Sequence, residues 1–146
     1  MKLIETGARL VLGGIFLLFG AEYLLHFMPA LPFTEEGGRY LEALIATGYM
    51  FPLIKSVEVI GAILILSGRF VPLGLLLVAP IILNIALYHL VLDPNGGSIA
   101  AALAASATVL AWAHRAAFRP LFLPSRPTPA PARDREQVAH AIAARP

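Results

Sequence analysis

Four pairs of polar side chains interrupt an otherwise apolar sequence at helical spacing: Glu22 with His26, Lys55 with Glu58, Asn84 with Tyr88, and His89 with Asp93. Residues three or four apart share one face of a helix, so the members of each pair would project together. The side-chain types are those of proton and hydrogen-bond chemistry. Carboxylates and imidazoles take up and release protons, an ammonium neutralises charge, and a phenol or amide orients a polar ligand. Two histidines and several acids also raise metal ligation. Haem between helices needs two deep axial ligands, whereas His26 sits at a loop boundary. Glu22, Glu58 and His89 are chemically competent toward a metal, but their spacing is not diagnostic. No metal is assigned on this basis.

The elements that must position these groups follow from composition. Hydrophobic residues make up 58% of the 146 residues and charged residues 14%, a balance that points to a bilayer rather than water as the solvent. Four stretches approach the roughly 20 apolar residues needed for a span, at about 6–25, 50–67, 71–92 and 98–117. Ser67-Gly68-Arg69-Phe70 and Asp93-Pro94-Asn95-Gly96-Gly97 read as tight turns. The expected fold is therefore all-α, an antiparallel bundle of four transmembrane helices over residues 1–118. The longer first connection, 26–49, holds a short amphipathic interfacial helix over 39–47, with Tyr40, Leu41, Leu44 and Ile45 on one face. Lys2 before an apolar run resembles a signal peptide. No small-residue cleavage site follows Leu25 and three more apolar segments do, so a retained first helix is expected.

Lys2, Arg9, Arg69, Arg115 and Arg119 fall on one side of such a bundle, while Glu35, Glu36, Glu42 and Asp93 share the other with Arg39. The positive-inside rule then places both termini in the cytoplasm. Residues 119–146 are rich in Pro, Ala and Arg and read as a disordered cytoplasmic tail. The net charge of +2 and its dispersed basic residues exclude a nucleic-acid footprint. The chain has no cysteine, which excludes thiol relays and thiolate metal sites carried by the chain itself.

Up-down topology gathers the polar pairs in the outer half of the membrane and leaves the inner half almost wholly apolar. Charged groups inside a bilayer normally face the bundle and find partners, and Lys55 with Glu58 or Glu22 is the natural ion pair. Residues near helix ends, including Glu22, His26, Lys55 and Asp93, also have a purely structural reading, because they can reach the headgroups or fix helix register. Glu58 and His89 lie deeper. The candidate ligand-binding set is Glu22, Lys55, Glu58, Asn84, Tyr88 and His89. Small residues such as Gly13, Gly20, Gly61 and the run from Ala100 to Ala107 suit close helix approach, and Pro80 is expected to kink the third span.

The segments GGIFLLFGAEYLLHF and ALIATGYMFPLIKSVEVIGAILILSGRFVPLGLLLVAPIILNIALYHLVLDP resemble the DoxX family of small four-helix membrane proteins. The likeness covers residues 9–94. It is carried most distinctively by Glu58-Val59-Ile60-Gly61, the Gly-Arg-Phe-Val-Pro-Leu turn, and the segment holding Tyr88-His89 and Asp93-Pro94. The resemblance implies a bundle in a bacterial or archaeal cytoplasmic membrane, in a family named for a subunit linked to thiosulfate:quinone oxidoreductase. The wider superfamily also resembles vitamin K epoxide reductases in helix layout, but that chemistry depends on cysteines and this chain has none to supply it. Two functions stay open. One is a quinone-linked redox component that binds quinone as a substrate, with hydrogen bonds from His89, Tyr88, Lys55 and Glu58 and electrons from a partner protein. The other is a non-enzymatic membrane adaptor or complex subunit that holds its partner through the bundle face or the tail. A small transporter using the same cluster would need four helices to pair with a second copy.

Overall fold

The computed structural model describes residues 2–28 and 32–124. Helix α1 spans Lys2–Leu25, α2 Glu35–Ala46, α3 Met50–Ser67, α4 Val71–Val91 and α5 Gly97–Ala113; a last turn, α6, covers Arg115–Phe118. The described residues form no strand. The four long helices are each long and apolar enough to cross a membrane, and the chain is a multi-pass membrane protein. They form a closed antiparallel ring in which α1 packs on α3, α3 on α4, α4 on α5, and α5 back on α1.

Packing in this ring is set by which residues face inward. On α1, Ala8, Leu12 and Phe16 recur every four residues and are buried. On α3 and α4 the core is Ala62, Ile65, Val71, Leu75 and Val78. Large apolar residues such as Leu18, Ile63, Leu83, Leu87 and Leu90 stay exposed on the outer surface, which suits contact with lipid tails. Hydrocarbon supplies little apolar drive between helices, so association depends on close contact at small residues. The closest approach to a neighbouring backbone among these glycines joins α3 to α4. A Cβ on Gly74 would stand 2.9 Å from the Gly61 carbonyl oxygen and 3.2 Å from the Ile65 backbone nitrogen.

The helix ends are closed by local chemistry. Helix α3 stops at Gly68, whose φ of 70° is left-handed and suits glycine alone at little cost. Arg9 completes that end, donating from Nε to the Ile65 carbonyl at 3.0 Å and from Nη2 to Leu66 at 2.6 Å. Glu5 Oε1 lies 3.1 Å from His114 Nε2 at the same end, though without hydrogen-bond geometry. The end of the bundle carrying the termini is thus not almost wholly apolar, as the sequence pattern implied. Arg9 lies inside α1 and uses its length to cap a neighbouring helix.

Three boundaries also differ from expectation, the first being that of α1, which starts at Lys2 rather than near residue 6. Helix α2 begins four residues early, because Thr34 caps it: its Oγ1 accepts from the Gly37 N–H at 3.1 Å and donates to the Leu92 carbonyl at 2.6 Å. The Gly37-Gly38 pair therefore lies inside the helix. Helix α5 ends at Ala113, short of 117, where His114 interrupts the helical backbone before the turn at Arg115–Phe118. The expected tail lies outside the described residues from 125 onward.

The α3–α4 crossing gives a direct test. Gly74→Ala should destabilise the bundle by about 1–3 kcal/mol, since backbone atoms cannot yield to the added methyl. Gly14→Ala, at a position with open space, should leave it unchanged. Thermal unfolding of the two variants in detergent measures the difference.

Candidate functional site

Beyond the Gly61–Gly74 crossing, toward the α2 end, the bundle holds a partly open cavity of about 520 Å³. Its walls come from all five longer helices. Phe16 and Phe19 of α1, Tyr40, Leu41 and Leu44 of α2, Phe51 and Ile54 of α3, Ile81 and Ile85 of α4, and Ile99 and Leu103 of α5 make it mainly apolar. All six expected ligand-binding residues, Glu22, Lys55, Glu58, Asn84, Tyr88 and His89, line it. His26 and Asp93 do not. His26 is exposed on a left-handed backbone at φ 49°, just past the end of α1. Asp93 is buried behind the wall.

Each polar group has an identifiable state. Glu58 is almost fully buried, and its Oε2 accepts from Lys55 Nζ at 2.8 Å; that ammonium also lies 5.4 Å from the Phe51 ring centroid. Lys55 therefore pairs with Glu58, one helical turn away, rather than with Glu22. The Glu22 side chain makes no hydrogen bond or ion pair among the described residues. Tyr40 Oη donates to Asn84 Oδ1 at 3.0 Å and stands 2.8 Å from Nδ2, which ties α2 to α4 across the cavity.

Asp93 organises the α4 end from behind. Its Oδ1 accepts from the Asn95 N–H at 3.2 Å and caps the turn Pro94–Gly96, while the Tyr88 hydroxyl donates to Oδ2 over 3.4 Å. His89 Nδ1 lies 2.7 Å from the Asp93 carbonyl oxygen. A carbonyl only accepts, so Nδ1 carries a proton, and in the neutral ring Nε2 is then the acceptor. Two glycines make room for this arrangement. A Cβ on Gly37 would press on the Tyr88 hydroxyl and Asp93, and one on Gly96 would overlap the His89 ring.

Sequence reasoning missed most of the aromatic lining. Tyr23 packs edge-on against Phe51 with centroids 5.5 Å apart, and Tyr40 lies 5.6 Å from Tyr88. Tyr40 was legible only as part of an apolar face. The phenol pointing from that face toward Asn84 depends on how α2 folds back over the bundle. Pro80, expected as a kink, is part of the cavity wall. Among the described residues no three His, Asp or Glu side chains gather as a metal site.

The buried Lys55–Glu58 pair separates architecture from chemistry. Glu58→Leu, which leaves an unpaired ammonium, should destabilise the bundle by about 3 kcal/mol or more. Lys55→Met combined with Glu58→Leu should restore stability close to the parent. Chemical unfolding in mixed micelles reads both.

Compared with protein-family models, with curated proteins and with solved structures, the chain gives no match.

Proposed function

We propose that this protein is a DoxX-like component of a bacterial or archaeal cytoplasmic membrane that binds a quinone-type molecule in the α2-end cavity as part of a redox system. The observation that carries the reading is the convergence of Glu22, Lys55, Glu58, Asn84, Tyr88 and His89 on one mainly apolar cavity of about 520 Å³. That volume and that mixture, aromatic and aliphatic walls with a few placed polar groups, suit a lipid-soluble small molecule. Interconversion of quinone and quinol moves two electrons and two protons. Glu58, Glu22 and His89 are groups through which the protons can pass. With no cysteine to relay electrons through thiols, the electron-transfer partner is a second protein of the same membrane.

The charge distribution supports an orientation for the site. Lys2, Arg9, Arg69, Arg115 and Arg119 mark the termini end, and Glu35, Glu36 and Glu42 surround Arg39 at the α2 end. On the positive-inside rule the termini are cytoplasmic and the cavity lies in the outer leaflet.

The test is equilibrium binding of 2-methyl-1,4-naphthoquinone and its quinol to the protein in liposomes. Saturable binding of at least one redox form is expected. Glu58→Gln and His89→Ala should each weaken binding about tenfold, a larger loss than the fall in the yield of folded protein. Absence of saturable binding by either form would exclude the reading.

A further inference from the structure

The hydrogen-bonding state of the cavity bears on which redox form it accommodates, and this step rests on the quinone reading above. The carbonyl oxygens of a quinone only accept hydrogen bonds, whereas the hydroxyls of its quinol donate them. Three of the donors that line the cavity are committed to protein, while among the described residues the Tyr23 hydroxyl and the second N–H of Asn84 Nδ2 are not. The Tyr40 hydroxyl is held by Asn84, the Tyr88 hydroxyl by Asp93, and His89 Nδ1–H by the Asp93 carbonyl. Lys55 keeps spare N–H groups, but its charge is held by Glu58 at 2.8 Å.

The acceptors left over include the one lining carboxyl group without an ion-pair partner, Glu22. Both oxygens of Glu22, Oε1 of Glu58 and Nε2 of His89 have no hydrogen-bond partner among the described residues. None of these atoms is sealed away from the cavity and unpartnered; the one such buried atom among the described residues is His114 Nε2, at the other end of the bundle. Charge points the same way. Two lining carboxyl groups face a single lining amine, which pairs with Glu58 and leaves Glu22 without a basic partner among the described residues. A buried acceptor left without a donor loses the free energy of a hydrogen bond, and more when it is charged. The cavity therefore disfavours a ligand that brings only further acceptors.

We infer that the cavity is complementary to the quinol, binding an aromatic diol through O–H donation to the Glu22 carboxylate and His89 Nε2 in preference to the corresponding quinone. The carboxylate takes the stronger, charge-assisted bond, and the aromatic walls hold the ring whichever form is bound. Discrimination thus resides in the two acceptors, while shared affinity resides in the walls. Of His89, Tyr88, Lys55 and Glu58, the groups the sequence offers to a quinone carbonyl, the first two donate to Asp93.

The experiment compares dissociation constants of 2-methyl-1,4-naphthoquinol and 2-methyl-1,4-naphthoquinone for the full chain in liposomes, with the quinol kept reduced under anaerobic conditions. The quinone's usual side reaction with thiols has no cysteine to act on. The quinol is expected to bind at least tenfold tighter. Glu22→Gln, which replaces the charge with an amide and adds a donor, should bring that ratio to within about threefold of one while leaving quinone affinity equal or higher. Because the Glu22 side chain has no protein partner among the described residues, this variant should fold like the parent, which thermal unfolding checks. Equal binding of the two forms, or tighter binding of the quinone, overturns the inference and leaves the quinone reading standing. A preference that survives unchanged in both Glu22→Gln and His89→Ala overturns it too. Binding of neither form removes the quinone reading itself.

Discussion

Close approach of α3 and α4 at Gly61 and Gly74 is the contact on which the rest of the bundle depends. In hydrocarbon, helices gain little from burying apolar surface against one another, because lipid tails are equally apolar; they gain from packing atoms at short range. Two glycines at the crossing let backbones touch. Where such residues give way to Glu58 on α3 and to Pro80, Ile81 and Asn84 on α4, the helices leave the space that becomes the cavity. Tight packing at one level and an open pocket at the next are thus two results of one distribution of side-chain size.

Polar groups in such a bundle must find partners within the protein, and they do so by different means at its two ends. At the termini end Arg9 spends its guanidinium on the carbonyls that end α3, which is structural work. At the other end Asp93, Thr34 and Gly37 hold α2 and the α4–α5 turn against Tyr88 and His89. These groups stand behind the cavity rather than in it. Their effect is to fix the orientation of the side chains that line it.

Much of the fold could be read directly. The limits of α3 and α4 follow from their apolar length, from Gly68 and Pro72, and from the turn at Asp93 to Gly97. The start of α2 was harder, because Gly37-Gly38 reads as a breaker, and the Thr34 cap is visible only when its second bond to Leu92 is known. Of the candidate site, Glu22, Lys55, Glu58, Asn84, Tyr88 and His89 were legible because a polar residue within an apolar span is costly and so stands out. Tyr23, Tyr40 and Phe51 were not, since aromatic residues in membrane helices are ordinary.

The amino-acid sequence by itself determined the number of spans, their antiparallel order and the gathering of polar residues at one end, because apolar length and turn residues are local properties. Only the tertiary structure decided which hydrogen-bonding groups are already occupied. Lys55 could have paired with Glu22 or with Glu58, and His89 could have offered either nitrogen. Lys55 takes the near partner on its own helix and His89 Nδ1 the Asp93 carbonyl, while the bonds that fold α2 over them, Thr34 to Leu92 and Tyr40 to Asn84, depend on direction and distance across the chain rather than on spacing along it.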